Sequence, residues 1–205
     1  ELLVAAGRTP RTAGIGLETV GLEAGGYLDV DDYLAVRGTE GWLYAVGDAN
    51  GRNLLTHMGK YQARVCGAAI AANARHVEPR WAASADHGQV PQVTFTDPEV
   101  ASVGLTEELA READLRVDVA EADLGAVAGA SLLRDDAAGR AKLVADADAG
   151  VLVGATFVGP EIAELLHSAT VAIVGKVPVE TLWHAVPSYP TASEVWVNLL
   201  EALRR

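Results

Sequence analysis

Trp42-Leu43-Tyr44-Ala45-Val46-Gly47-Asp48-Ala49 is an apolar run that ends abruptly in Gly-Asp. Such a run reads as a strand buried from both sides, followed after a short loop by a helix of small residues. Strands of this kind carry the residue at their carboxyl end to the crevice where open α/β sheets bind ligands. Gly47 lets a ligand come close to the backbone, and the Asp48 carboxylate accepts hydrogen bonds from sugar or sugar-alcohol hydroxyls. A strand–Gly–Asp turn also serves simply to start a helix, so the motif gains its meaning from its neighbours.

Patterning on either side predicts mixed α/β structure throughout. Leu2-Leu3-Val4-Ala5-Ala6 reads as a strand leading into Gly7-Arg8-Thr9-Pro10. Residues 14–38 are rich in turns, with Tyr27-Leu28-Asp29-Val30-Asp31 alternating like a short edge strand. From Leu54 to Asn73 the spacing predicts a helix, with Met58, Val65, Cys66, Ala69 and Ile70 near one face. Residues 75–89 have no clear period and contain Pro79, Asp86 and Gly88, which places a domain boundary there.

An α+β unit follows. Gln92–Phe95 and Val100–Val103 read as strands around Asp97-Pro98, and Thr106 is the N-cap of a helix to Ala113, with Glu107 and Glu108 in its first turn. Strands are predicted near Arg116–Ala120, Ala141–Asp146 and Val151–Val158. A helix from Glu161 to Val174 carries Ile162, Leu165, Leu166, Ala169 and Ile173 at helical spacing, with Gly175 at its C-cap. For the last helix, Thr191 and Glu194 form a capping-box pattern, and Val195, Leu199, Ala202 and Leu203 make an apolar stripe. Arg204-Arg205 suits the negative end of that helix's dipole.

Composition narrows the partners. The 205 residues carry a net charge of −12, which argues against nucleic acid and fits a solvated acidic surface. No apolar run reaches membrane-spanning length, and Glu1 leads straight into a strand-like run with no signal-peptide pattern. A first residue other than Met suggests a fragment or a processed chain. The single cysteine, Cys66, excludes an internal disulfide framework and suits a reducing, cytoplasmic setting. No Cys/His cluster has zinc spacing, so no metal site is expected. Abundant Arg and Ala with few Lys point to a GC-rich bacterial source.

Four segments, in order, resemble the carboxyl half of the pyridine nucleotide–disulfide oxidoreductases, the family of dihydrolipoamide dehydrogenase, glutathione reductase, mercuric reductase and soluble transhydrogenase. Leu2–Pro10 resembles the strand and turn that leave the NAD(P)-binding domain, and Ala45-Val46-Gly47-Asp48 resembles the second FAD motif. Val90-Pro91, Phe95-Thr96-Asp97-Pro98-Glu99 and Val103-Gly104-Leu105-Thr106-Glu107 resemble the opening of the dimerisation domain. Tyr189-Pro190-Thr191-Ala192-Ser193-Glu194 resembles the carboxyl-terminal active-site segment. The resemblance implies the closing part of a Rossmann-like FAD domain followed by an α+β dimerisation domain. Its bounds would be 1–11 for the exit strand of the NAD(P) domain, 12–86 for the FAD part and 87–205 for dimerisation.

The resemblance also assigns roles. Asp48, behind Gly47, would bond the ribityl chain of FAD. Backbone amides at Leu55, Thr56 and His57 would face the pyrimidine edge of the flavin, where a helix N-terminus stabilises the negative charge of the reduced ring. The His57 ring has two open readings, flavin edge or ordinary first-turn surface residue. Cys66 reads as a small buried hydrophobe, not the redox cysteine.

At the carboxyl-terminal segment, disulfide-reducing members carry a histidine before Pro-Thr, held by the later glutamate, whose near-neutral pKa suits proton transfer. Here that position is Tyr189, whose phenol, with a reference pKa of about 10, is a poor base at neutral pH. The substitution weakens the case for lipoamide-type dithiol chemistry and looks more like mercuric reductases and soluble transhydrogenases. Glu194 is read either as a capping residue or as a catalytic one, and His184 either as a displaced base or as a structural residue beside Trp183.

The expected whole is a homodimeric FAD-dependent NAD(P)H oxidoreductase, passing hydride from nicotinamide to FAD and on to a disulfide or soluble acceptor. The glycine-rich fingerprint and the paired redox cysteines lie outside this sequence, so this chain alone is expected to be inactive. The alternative is a stand-alone dimerisation module without catalysis.

Overall fold

The computed structural model describes residues 1–204 and divides into two compact units that meet in sequence at His87 and Gly88. In the first unit the ordered framework is helix α1, Thr56–Asn73, with three short 3-10 turns, Leu17–Val20, Gly47–Asn50 and Ser84–Asp86. Its core gathers Val30, Leu34, Val36, Ala45, Val65, Cys66 and Ala83. Met58, Gln62, Val65, Cys66 and Ala69 are the buried positions of α1, spaced as one helical face. Ile70, expected on that face, is exposed instead. It follows Ala69 by one residue, about 100° round the helix, at the margin of the buried stripe.

Three expected strands of this unit are not ladder strands. Leu2, Leu3 and Val4 form no pairs and stand in solvent. The Trp42–Val46 run is extended but makes a single antiparallel pairing, Tyr44 with Ala35, and the alternating Tyr27–Asp31 segment likewise pairs only at Val30 with Val36. The sequence pattern is that of strands, yet a strand is realised only by neighbours, and these residues have few among the described ones.

In the second unit a five-stranded antiparallel sheet carries the fold. Its strands are β1 Gln92–Thr94, β2 Glu99–Gly104, β3 Val117–Asp123, β4 Arg140–Asp146 and β5 Val151–Gly159, in the order β1-β2-β5-β4-β3. The expected strands shift by one to three residues. β3, for example, starts after Arg116, whose guanidinium is spent on Asp148. Helix α2, Glu107–Glu112, begins as its sequence predicts, with the Thr106 hydroxyl accepting from the Leu109 amide at 3.1 Å. Lys142 of β4 joins α2 to the sheet by donating to Glu107 at 2.7 Å.

Helices α3, Ala128–Leu133, and α5, Val179–Leu182, carry no clear amphipathic signal and were not expected. Helix α4, Leu165–Val174, packs on β5 and β2, and α6, Val195–Leu203, on β3 and β4. Phe157, Leu143, Leu152, Ile162 and Leu199 are fully buried in the core they share with the sheet. The start of α4 is later than expected because Glu161 takes a left-handed conformation and residues 161–164 form turns. Gly175 is the C-cap of α4, but the left-handed residue there is Lys176, whose amide bonds the Ile173 carbonyl.

The capping box expected at α6 does not form. Thr191 donates its hydroxyl to the Ser188 carbonyl at 2.6 Å, and residues Ala192–Glu194 make a 3-10 turn that leads into the helix. The hydroxyl therefore never reaches an amide of α6. Arg204 lies with its guanidinium 4.5 Å above the Trp183 ring, while Arg205 falls outside the described residues. Among the described residues no helix is long and apolar enough to cross a membrane.

Candidate functional site

The Gly-Asp motif of the first unit becomes a tight turn rather than the end of a ladder strand. Gly47 sits at a φ of 65°, a left-handed geometry that favours glycine, and its Cα faces Gly59 of α1. A Cβ on Gly59 would come within 3.2 Å of the Gly47 Cα, so two glycines let the turn lie directly on the helix. Asp48 is thereby left with its carboxylate exposed, 3.9 Å from the Arg8 guanidinium. Arg8 also donates to the Leu54 carbonyl and accepts, through its own carbonyl, the Tyr27 hydroxyl at 3.1 Å.

These residues border a cavity of about 700 Å³, lined in part by Arg8, Arg11, Tyr27, Tyr44, Asp48 and Leu54. One residue beyond Leu54 comes the N-cap of α1, Leu55, which offers no side-chain cap. Amides at the start of such a helix have no intrahelical partner. Thr56 and His57 occupy the first turn, both with exposed side chains. The structure thus brings Gly47, Asp48, Leu55, Thr56 and His57 onto two consecutive short stretches of one unit.

Behind the turn lies a polar network. Gln62, fully buried on the apolar face of α1, accepts from the Gly47 amide at 2.8 Å and from Asn50 Nδ2 at 2.8 Å. Its Nε2 donates to Asp86 Oδ2 at 3.0 Å. Asp86 also receives Asn53 Nδ2 at 3.2 Å and Arg52 Nη1 at 3.4 Å, and its side chain is only 1% exposed. Sequence reasoning missed all of these partners. The available signal was a glutamine at a core position of an otherwise apolar helical stripe. On the surface nearby, the His87 ring beside Asp32, at 2.8 Å, holds that carboxyl below its ordinary range. Burial pushes the Cys66 thiol up, which keeps it protonated and unreactive.

In the second unit His184, Tyr189 and Glu194 share the segment between α5 and α6. Tyr189 is 77% exposed and His184 is exposed as well. Glu194 is different: its Oε2 is buried and has no hydrogen-bond partner among the described residues. The backbone of this segment rests on α3, where a Cβ at Gly129 would overlap the Thr191 carbonyl. Among the described residues no group of three or more His, Cys, Asp or Glu is placed to hold a metal ion.

Comparison with known proteins decides the family. The pyridine nucleotide–disulphide oxidoreductase dimerisation domain matches residues 90–200. The chain belongs to this oxidoreductase family. A dihydrolipoyl dehydrogenase of Thermus scotoductus is 36% identical over 207 residues, covering 100% of this chain and 42% of the relative. That of Mycobacterium tuberculosis is 37% identical over 196 residues, covering 95% and 40%.

Among solved structures, LpdA from Mycobacterium tuberculosis matches with a TM-score of 0.75 at 29% identity, over 96% of this chain and 40% of that one. The HOCl-induced flavoprotein disulfide reductase RclA from Escherichia coli matches with a TM-score of 0.79 at 25% identity, over 96% and 44%. The chain therefore spans about two fifths of the length of these oxidoreductases. Its second unit, an antiparallel sheet flanked by helices, is the family's dimerisation domain.

Proposed function

We propose that the chain is the carboxyl-terminal part of a homodimeric, FAD-dependent NAD(P)H oxidoreductase. Residues 1–11 would leave the nicotinamide domain, 12–86 close the FAD domain, and 87–205 form the dimerisation domain. One observation carries the reading: the Gly47-Asp48 turn, seated on Gly59, presents an exposed carboxylate at the edge of a cavity of about 700 Å³. The residues fit a flavin nucleotide, since an acceptor for ribityl hydroxyls and the start of α1, whose N-cap Leu55 has no polar side chain, lie close together in sequence. FAD, when bound, supplies hydride acceptance from the nicotinamide and onward electron transfer.

The chain's own residues would do the binding and orienting. Asp48 would exchange its long Arg8 contact for a hydroxyl of the ribityl chain. The first-turn amides of α1, at Thr56 and His57, would favour negative charge on the ring beside them. Tyr189, exposed and without a hydrogen bond of its hydroxyl to any described residue, would donate to or stack against the acceptor. Glu194, with an unused buried oxygen, would take a donor that steadies this segment. His184 would be the nearest imidazole in sequence for proton transfer. A phenol at position 189 favours soluble acceptors, such as quinones or metal ions, over dithiols.

Two substitutions test the reading in the flavin-loaded protein. Asp48→Ala is expected to speed FAD release about tenfold, the worth of one charge-assisted hydrogen bond. Tyr189→Phe is expected to lower turnover with some acceptors while leaving flavin reduction by NAD(P)H unchanged. Turnover equal to that of the parent protein with every acceptor tried would overturn the role of Tyr189.

A further inference from the structure

We infer that Asp86 and Gln62 are positioning residues that set the orientation of the Gly47-Asp48 turn; the functional consequence rests on the flavin reading of that turn. A carboxylate accepts and cannot donate, and a backbone amide donates and cannot accept. Gln62 lies between one of each, Asp86 on its Nε2 side and the Gly47 amide on its Oε1 side. Only one orientation of the Gln62 amide satisfies both.

Asn50 reinforces that orientation. Its Oδ1 accepts from the Arg52 amide at 3.0 Å, which obliges Nδ2 to donate to the Ala45 carbonyl at 3.1 Å and to Gln62 Oε1 at 2.8 Å. Every polar end of the network is thus committed, in a region where an unpaired group is costly. Asp86 is itself fixed. Arg52 and Asn53 hold its carboxylate, and Tyr61 grips the segment before it by donating to the Ala82 carbonyl and accepting from the Ala85 amide, both at 3.3 Å.

A chain of directed bonds therefore runs from Asp86, through Gln62, to the amide just before Asp48. A glutamate at position 62 keeps the acceptor for Gly47 but sets a second acceptor against Asp86, and an asparagine at position 86 would supply the missing donor. Loss of the Gly47 bond in the single variant and its recovery in the double one would then follow from hydrogen-bond direction, with side-chain shape kept.

The test reads the Gly47 amide by hydrogen exchange in the full 205-residue chain and FAD release in the holoenzyme. Gln62→Leu and Gln62→Glu are expected to speed Gly47 exchange by about tenfold or more, while Gly59, bonded to the Leu55 carbonyl in the same helix, keeps its protection. Gln62→Glu with Asp86→Asn restores an acceptor for Gly47 and a donor at position 86, and is expected to restore protection. Unchanged Gly47 exchange, or an equal rise at Gly47 and Gly59, would overturn the inference.

In the holoenzyme, Gln62→Leu is expected to speed FAD release in the parent protein but to add nothing in the Asp48→Ala background, because it acts through Asp48. Multiplying effects would overturn the link to Asp48. FAD release indifferent to Asp48→Ala would instead sink the flavin reading, and the Gly47 exchange would still decide the network.

Discussion

Gln62 and Ile70 show what a residue's type does and does not disclose. Both fall near the apolar stripe of α1, yet the amide is fully buried and the hydrocarbon is exposed. Helical spacing marks a direction; it does not say how far the core extends along the helix. Glycines are more legible where a specific backbone lies against them. Gly129 has the carbonyl of Thr191 where its Cβ would stand, so Gly129→Ala is expected to cost about 1–3 kcal/mol, the usual range for overpacking. Urea denaturation measures it. The loss should come with a changed environment at Tyr189, two residues from the contact. Thr191 differs from its sequence reading because a hydroxyl can accept from a helix amide or donate to a carbonyl, and here it donates to Ser188.

Among the elements, α2 is the case in which sequence and structure agree in detail, since Thr106, Glu107 and Glu108 act within one turn of each other. Its attachment to the sheet is electrostatic as well as apolar. The hydrogen bond from Lys142, then the charge of Arg111, hold the Glu107 carboxyl below its ordinary range, and Glu107 in turn raises Lys142. A depressed carboxyl pKa stabilises the fold above the unfolded value and loses that contribution as pH falls through the folded one. A raised lysine pKa contributes below its unfolded value and loses it as pH rises through the folded one. The stability difference between the parent and Lys142→Met is therefore expected to be greatest near neutrality, and to shrink below pH ~4 and above pH ~10.4. Thermal unfolding across pH checks it; a difference flat from pH 3 to 7 would exclude the ion pair as its source.

For the whole molecule, the exposed apolar residues of α4 bear on assembly. Val171 and Val174 face solvent on a helix whose other side is buried in the core of a dimerisation domain. Light scattering is expected to give twice the chain mass of 21.4 kDa, and the double variant Val171→Asp, Val174→Asp a monomer with unchanged circular dichroism. A dimer that survives both changes would move the interface elsewhere.

The sequence by itself determined the five strands of the second unit, the start of α2, the main face of α1 and the turn at Gly47-Asp48. Each of these depends on residues within about one or two turns of chain, where propensity and capping act directly. Tertiary structure alone decided which extended runs became ladder strands, that Glu194 buries an unpaired oxygen, and that Asp86 reaches back to Gln62. Those outcomes need groups 24 or more residues apart, or neighbouring strands, to meet. A local pattern carries no information about which distant donor will stand opposite a buried acceptor; only the packed chain supplies it.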